Sequence, residues 1–246
     1  MIPRYYVVAE RDHELQNPIS VEKLVLLGER LRLRRGSRVL DVASGRGGPA
    51  LVLARTFGCA VEGIEIAPEF HAAAEERAAA EGLDDLLSFR LGDASAQALE
   101  PGVYDAALCL GATFVFDGLH GTVDALAPAV RPGGHVVIGE PYWRRPPPED
   151  YGRADAPYTS LEATITAIES PGLRLVGVID SSRDDWDRYE TLHWRAVEEW
   201  LAANGSDPDA DDVRSRHEHA KRAYLHHGRE LLGWAIIIGW KPLATH

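Results

Sequence analysis

Apolar and polar positions alternate along this chain in two periods, and the switching between them lays out its elements. Short apolar runs rich in aliphatic and β-branched residues predict strands at 38–41, 60–66, 86–91, 103–110, 135–140, 174–180 and 233–241. Between them, apolar residues at helical spacing predict helices at 20–33 (Ser20 as N-cap), 49–57, 68–81 (opened by Pro68) and 118–130, where Leu119, Val123, Leu126 and Ala127 share a face. A helix at 160–169 precedes strand six, and two more, split at 204–208, fill the stretch from 181 to 229 before the last strand. Strands alternating with helices imply right-handed crossovers and a parallel sheet, an α/β fold. Two stretches break the pattern. Residues 1–18 show no sustained period but carry Tyr5, Tyr6, His13 and Asn17, and the proline-rich stretch 141–157 reads as a long loop or cover.

Composition narrows the function classes. With 246 residues, 45% of them hydrophobic, the chain can bury a substantial core. A net charge of −12 argues against a nucleic-acid partner, whose phosphates call for clustered Lys and Arg. Cys59 and Cys109 each sit in an apolar segment, which predicts buried thiols in a reducing compartment. The apolar run around 235–238 is too short for a bilayer, and Pro3, Arg4 and Glu10 leave no signal-peptide core, so no membrane partner and a cytoplasmic location are expected.

The chemistry concentrates at 39–54, VLDVASGRGGPALVLA, a strand ending at Asp41, a small-residue loop and a helix start. Gly45, Gly47 and Gly48 let a ligand lie against the main chain, near free N–H groups of the helix. Glu65 closes strand two, 24 residues after Asp41, where a carboxylate accepts ribose hydroxyls; Asp93 follows strand three, where one accepts from an exocyclic amine. Gly45, Gly47 and Ala50 also satisfy the dinucleotide pattern G-x-G-x-x-A, so a nicotinamide-dependent oxidoreductase is the alternative, and a non-catalytic cofactor-binding protein is another. Asp41 and Asp93 taken singly also read as turn residues or N-caps. No phosphate-binding group is evident, and Asp41 adds negative charge that suits an ammonium and a sulfonium.

On these residues the chain resembles the class I S-adenosylmethionine-dependent methyltransferases. Residues 41–47 are similar to the family's Asp-x-Gly-x-Gly-x-Gly loop, with Ala43 where the family usually has Gly. Glu65 matches its ribose acid and Asp93 its adenine-contacting acid, while Leu110 and Gly111 match the end of strand four that lines the methionine end. The turn 131–134 and the strand to Glu140 resemble its strand-five signature. More narrowly, segments 2–4, 111–113, 139–144 and 186–190, with His13, Asn17 and Pro18, resemble the bacterial YjhP-like methyltransferases over nearly the full length.

The resemblance implies a three-layer Rossmann-like sheet of seven strands, mostly parallel with the last antiparallel, in one domain spanning 1–246. Residues 1–20 would form a lid and 181–230 a helical cap inserted between strands six and seven. S-adenosylmethionine would be held by Asp41, Ala43, Gly45, Gly47, Glu65, Ile66, Asp93, Ala94 and Leu110, leaving S-adenosylhomocysteine as product. The acceptor would be a small molecule, methylated on oxygen or nitrogen rather than carbon by in-line displacement. Its pocket would draw on Tyr6, Phe114, Tyr142, Trp143, Trp186, Tyr189 and His193. His13 is the expected base, with Tyr6 and Tyr142 behind it. His193, His217, His219, His226 and His227 fall on helical segments whose solvated faces account for most of them, and no metal site is expected.

Overall fold

The computed structural model describes residues 2–148 and 158–243. Seven strands form one sheet: β1 (Arg38–Val42), β2 (Ala60–Glu65), β3 (Leu87–Leu91), β4 (Tyr104–Leu110), β5 (Val130–Trp143), β6 (Arg174–Asp180) and β7 (Leu232–Trp240). Their spatial order is β3-β2-β1-β4-β5-β7-β6. All neighbours pair in parallel except β7, which runs antiparallel to both β5 and β6. The expected mixed sheet with a reversed last strand is therefore what forms.

Alternation along each strand divides the core into two layers. Leu108 and Ile236 pack with Leu24, Leu27, Leu51 and Leu53, on the side of helices α2 (Val21–Arg30), α3 (Gly48–Phe57) and α4 (Pro68–Glu81). Leu40, Cys109, Ile138 and Ile237 belong to the other layer, with Val123 and Leu126 of α5 (Leu119–Ala129) and Ile168 of α6 (Leu161–Glu169). Strands flanked on both faces by helices read as near-continuous apolar runs, as in WAIIIG of β7. Between β6 and β7 stand α7 (Arg183–Ala203) and α8 (Ala210–Ala223), followed by a π-turn over Tyr224–Gly228.

Three expectations change. The 1–18 segment begins with a helix, α1 (Arg4–Ala9), too short to show a period; Tyr5, Val8 and Ala9 hold it against Val197, Leu201, Ala210 and Val213 of the insertion. β5 runs well past 135–140 at both ends: at its start Val130 pairs with Tyr104 of β4, and at its end β7 pairs with it as far as Trp143. Tyr142 and Trp143 are thus ladder residues opposite Gly233 and Leu232, and a Cβ at Gly233 would stand 2.2 Å from the Tyr142 ring. His217 is not on a solvated face but 2% exposed, with Nε2 3.4 Å from Glu198. Of the stretch expected as a cover, residues 149–157 lie outside the described residues.

Candidate functional site

The carboxyl ends of β1, β2 and β4 converge on the loop after Val42. Ala43, Gly45 and Gly47 have φ of +55°, +56° and +73°, three left-handed residues within one turn. Ala43 adopts the conformation for which glycine is the usual choice. The next glycine answers a close approach: a Cβ at Gly48 would lie 2.3 Å from the Glu14 carbonyl oxygen. Glu65 braces the loop, its Oε2 accepting from Gly45 N–H and its Oε1 from Ala67 N–H, each at 2.8 Å. Asp41 is 2% exposed, and burial together with the charge of Glu65 pushes its carboxyl up to about 7.

Asp93, exposed at the end of β3, accepts from the Ser95 hydroxyl at 2.7 Å and from Ser95 N–H at 2.9 Å, which hold it below its ordinary range; Ala94 is buried beside it, and Ile66 and Leu91 leave apolar surface exposed at the ends of β2 and β3. Among the described residues, buried Asp41 Oδ2 and Ser44 Oγ have no hydrogen-bond partner. Unpaired buried oxygens beside a left-handed loop, the acids Glu65 and Asp93, and exposed apolar ends fit a cofactor with an ammonium, a ribose and an adenine. They leave a pyrophosphate without a partner.

The N-terminal segment is laced across this loop. Gln16 Oε1 accepts from Arg46 N–H at 2.6 Å, and Arg46 Nη1 donates to the carbonyls of Glu10 and Arg11 at 3.3 and 2.7 Å. Asn17 Nδ2 donates to the Leu110 carbonyl at 3.2 Å, over Gly111, whose φ is +83°. Ser181 hydroxyl donates to the Pro18 carbonyl, joining the segment to the insertion.

Beside Gly111 opens a cavity of about 710 Å³ between the N-terminal segment, the ends of β4 and β5, and α7. Of the expected pocket residues, Tyr6, Phe114, Trp186, Tyr189 and His193 line it. Tyr142 and Trp143 do not. The Tyr142 hydroxyl donates to Asp180 at 3.0 Å inside the α5–α6 layer, and Trp143 packs on Tyr158, their centroids 5.6 Å apart. His13 is also off this cavity's wall: it is 3% exposed and its Nε2 donates to the Tyr189 carbonyl at 2.9 Å, so the expected base has no face on this cavity. Its side chain instead joins Glu10 and His193. His193 Nε2 lies 2.9 Å from Glu10 Oε1, the Tyr189 hydroxyl donates to the same oxygen at 2.9 Å, and His13 Nδ1 lies 3.6 Å from Glu10 Oε2. Burial works to raise the Glu10 carboxyl, yet the bond from His193 and its charge hold it below its ordinary range.

Glu10, Gln16 and Glu190 line the cavity from the N-terminal segment and the insertion, and Glu140 lines it from the end of β5. Glu140 ends the apolar run VVIG as Asp41 and Glu65 end theirs, which was the signal for it. Burial raises its carboxyl against the bond from Thr113 N–H at 3.0 Å.

Comparison with known proteins agrees with this geometry. Residues 39–134 match the family model described as a methyltransferase domain. The Escherichia coli protein YjhP is 34% identical over 242 residues, covering 96% of this chain and 97% of its own. A solved S-adenosylmethionine-dependent methyltransferase from Geobacter sulfurreducens, in complex with S-adenosylhomocysteine, is 37% identical with a TM-score of 0.90, over 97% of this chain and 98% of that one. Its counterpart from Thiobacillus denitrificans, in the same complex, is 34% identical with a TM-score of 0.89, covering 97% and 98%. The left-handed loop, the two unpaired buried acceptors at its base and the full-length similarity lead to one assignment: the chain belongs to the S-adenosylmethionine-dependent methyltransferases, in the YjhP-like group.

Proposed function

We propose that this methyltransferase acts on a nitrogen or oxygen of a small neutral or cationic acceptor held in the cavity beside Gly111. The observation that carries the reading is the chemistry of the lining. Asp117, Glu140 and Glu190 contribute carboxylates, tyrosine and tryptophan rings contribute apolar faces, and no Lys or Arg lines it among the described residues. Such a wall favours N–H and O–H donors and repels phosphorylated or polycarboxylate substrates. The volume suits a metabolite rather than a polymer.

The cofactor supplies a methyl group on a sulfonium, with a neutral thioether as leaving group, so no nucleophilic side chain is needed. The protein's part is alignment and exclusion of water. Asp41, Ala43, Gly45, Gly47, Glu65, Ile66, Asp93, Ala94 and Leu110 are assigned to holding the cofactor. Tyr6, Phe114, Trp186, Tyr189 and His193 are assigned to the acceptor. Glu140 takes the role of base for an acceptor proton, because its raised carboxyl lies on the wall next to the β4 end. Buried, unpaired Cys59 and Cys109 support a reducing, cytoplasmic setting.

The test is a turnover screen with labelled S-adenosylmethionine against amines, phenols and alcohols on one side and phosphorylated acceptors on the other. S-Adenosylhomocysteine should form only with the first group, and Glu140→Gln should lower kcat while leaving cofactor affinity unchanged. Turnover confined to phosphorylated acceptors, or to a carbon centre, overturns the reading.

A further inference from the structure

We propose that Glu10, His13 and His193 bind a divalent transition-metal ion of zinc type at the wall of the acceptor cavity. One carboxylate oxygen and one nitrogen from each imidazole lie within 4.8 Å of one another. The separations recorded within the set are 3.6 Å from His13 Nδ1 to Glu10 Oε2 and 2.9 Å from His193 Nε2 to Glu10 Oε1. An ion about 2.0–2.2 Å from each ligand places the ligands ~3–3.5 Å apart, so the cluster closes on one with small side-chain shifts.

The independent observation is a pair of orphaned atoms. His13 Nδ1 and Glu10 Oε2 are shut off from solvent and have no hydrogen-bond partner among the described residues, and their residues are only 3% and 7% exposed. They face one another at a distance too long for a hydrogen bond. A buried nitrogen lone pair opposite a buried carboxylate oxygen is costly, and a single cation satisfies both.

The surroundings are those of ligands being aimed. His13 Nε2 carries the proton it donates to the Tyr189 carbonyl, which leaves Nδ1 as a lone pair directed at Glu10. The hydroxyl of the same Tyr189 orients the carboxylate by donating to Oε1. Outer hydrogen bonds of this kind fix the tautomer and rotation of metal-bound imidazoles and carboxylates. On binding an ion, His193 Nε2 would give up the proton it now donates to Glu10 Oε1 and ligate as a lone pair, with the remaining ring proton on Nδ1. Two neutral imidazoles and one carboxylate suit zinc with an open fourth position, whereas magnesium and calcium prefer oxygen alone.

Glu10 and His193 line the cavity, so the open position faces it. The ligands come from two places, the turn after α1 and the middle of α7, so the ion would also staple the N-terminal segment to the insertion. The binding claim stands whatever the acceptor is.

The full-length protein, stripped with a chelator and desalted, is titrated with Zn²⁺ and separately with Co²⁺. Elemental analysis after desalting should give one zinc per chain, Co²⁺ should develop ligand-field bands, and Tm should rise with Zn²⁺. His193→Ala and Glu10→Gln should each weaken zinc by about 10–100-fold or more. His226→Ala, outside the cluster, should not. His13→Ala removes a packed side chain, so His193→Ala, at the cavity face, is the deciding variant. Substoichiometric zinc without ligand-field bands, or equal affinity in His193→Ala, overturns the proposal. S-Adenosylhomocysteine binding measured on the same stripped protein reports separately on the family assignment.

Discussion

At the scale of single residues, the cofactor loop keeps two costly features. Ala43 holds a left-handed backbone, which costs an L-residue about 1–2 kcal/mol, while glycine would lose about 0.5–1 kcal/mol more chain entropy on folding. Ala43→Gly should therefore stabilise the protein by about 0–1.5 kcal/mol, read from urea denaturation. Asp41 keeps its proton up to about 7 in the fold, whereas the unfolded chain releases it at the ordinary, lower value. The folded state then binds more protons in that window, so Asp41 favours folding most at the acid end and that contribution is lost as pH rises through about 7. Asp41→Asn removes the loss, and its Tm advantage over wild type should grow from about pH 5 to about pH 8. A constant difference across that range would place the titration elsewhere. Glu65 already holds Gly45 N–H and Ala67 N–H with its two oxygens. Glu65→Gln should weaken S-adenosylhomocysteine binding by about 1–3 kcal/mol in calorimetry, and Glu65→Ala should in addition lower Tm without ligand.

At the scale of elements, α7 carries Trp186, Tyr189 and His193 to the cavity, and its start is doubly capped. Ser182 Oγ accepts from Asp185 N–H at 3.1 Å while Asp185 Oδ2 accepts from Ser182 N–H at 2.8 Å, and Lys23 of α2 pairs with the same carboxylate. That reciprocal pair satisfies two N–H groups at once and pins the register of the helix. Ser182→Ala should cost about 1 kcal/mol of stability in chemical denaturation. Unchanged stability would mean that packing alone sets the helix start. The short α1 has no comparable device, and its place is decided by Tyr5, Val8 and Ala9 against α7 and α8.

At the scale of the whole molecule, the N-terminal segment, the cofactor loop and the insertion are tied through Gln16, Asn17, Arg46 and Ser181. Residues 10–17 should therefore gain hydrogen-exchange protection when S-adenosylhomocysteine binds, because the loop they cross is the one that closes on it. Equal exchange in both states would show that the segment is a fixed wall rather than a lid. The order of residues is enough to encode the sheet and the loops along its carboxyl edge. Strand and helix periods, left-handed glycines and acids near the ends of apolar strands are local properties, set by the residues that carry them, so the placement of Asp41, Glu65 and Asp93 at the carboxyl edge of the sheet was legible, and that of Glu140 was by the same signal. The tertiary structure alone decided the acceptor side. Tyr142 looked like a pocket wall until β7 extended the ladder across it, His13 looked like a free base until Tyr189 took its Nε2–H, and Glu10 met His193 only because α1 docks on the insertion. Those outcomes depend on contacts between segments far apart in the chain, and no local period encodes which buried atoms will be left facing one another.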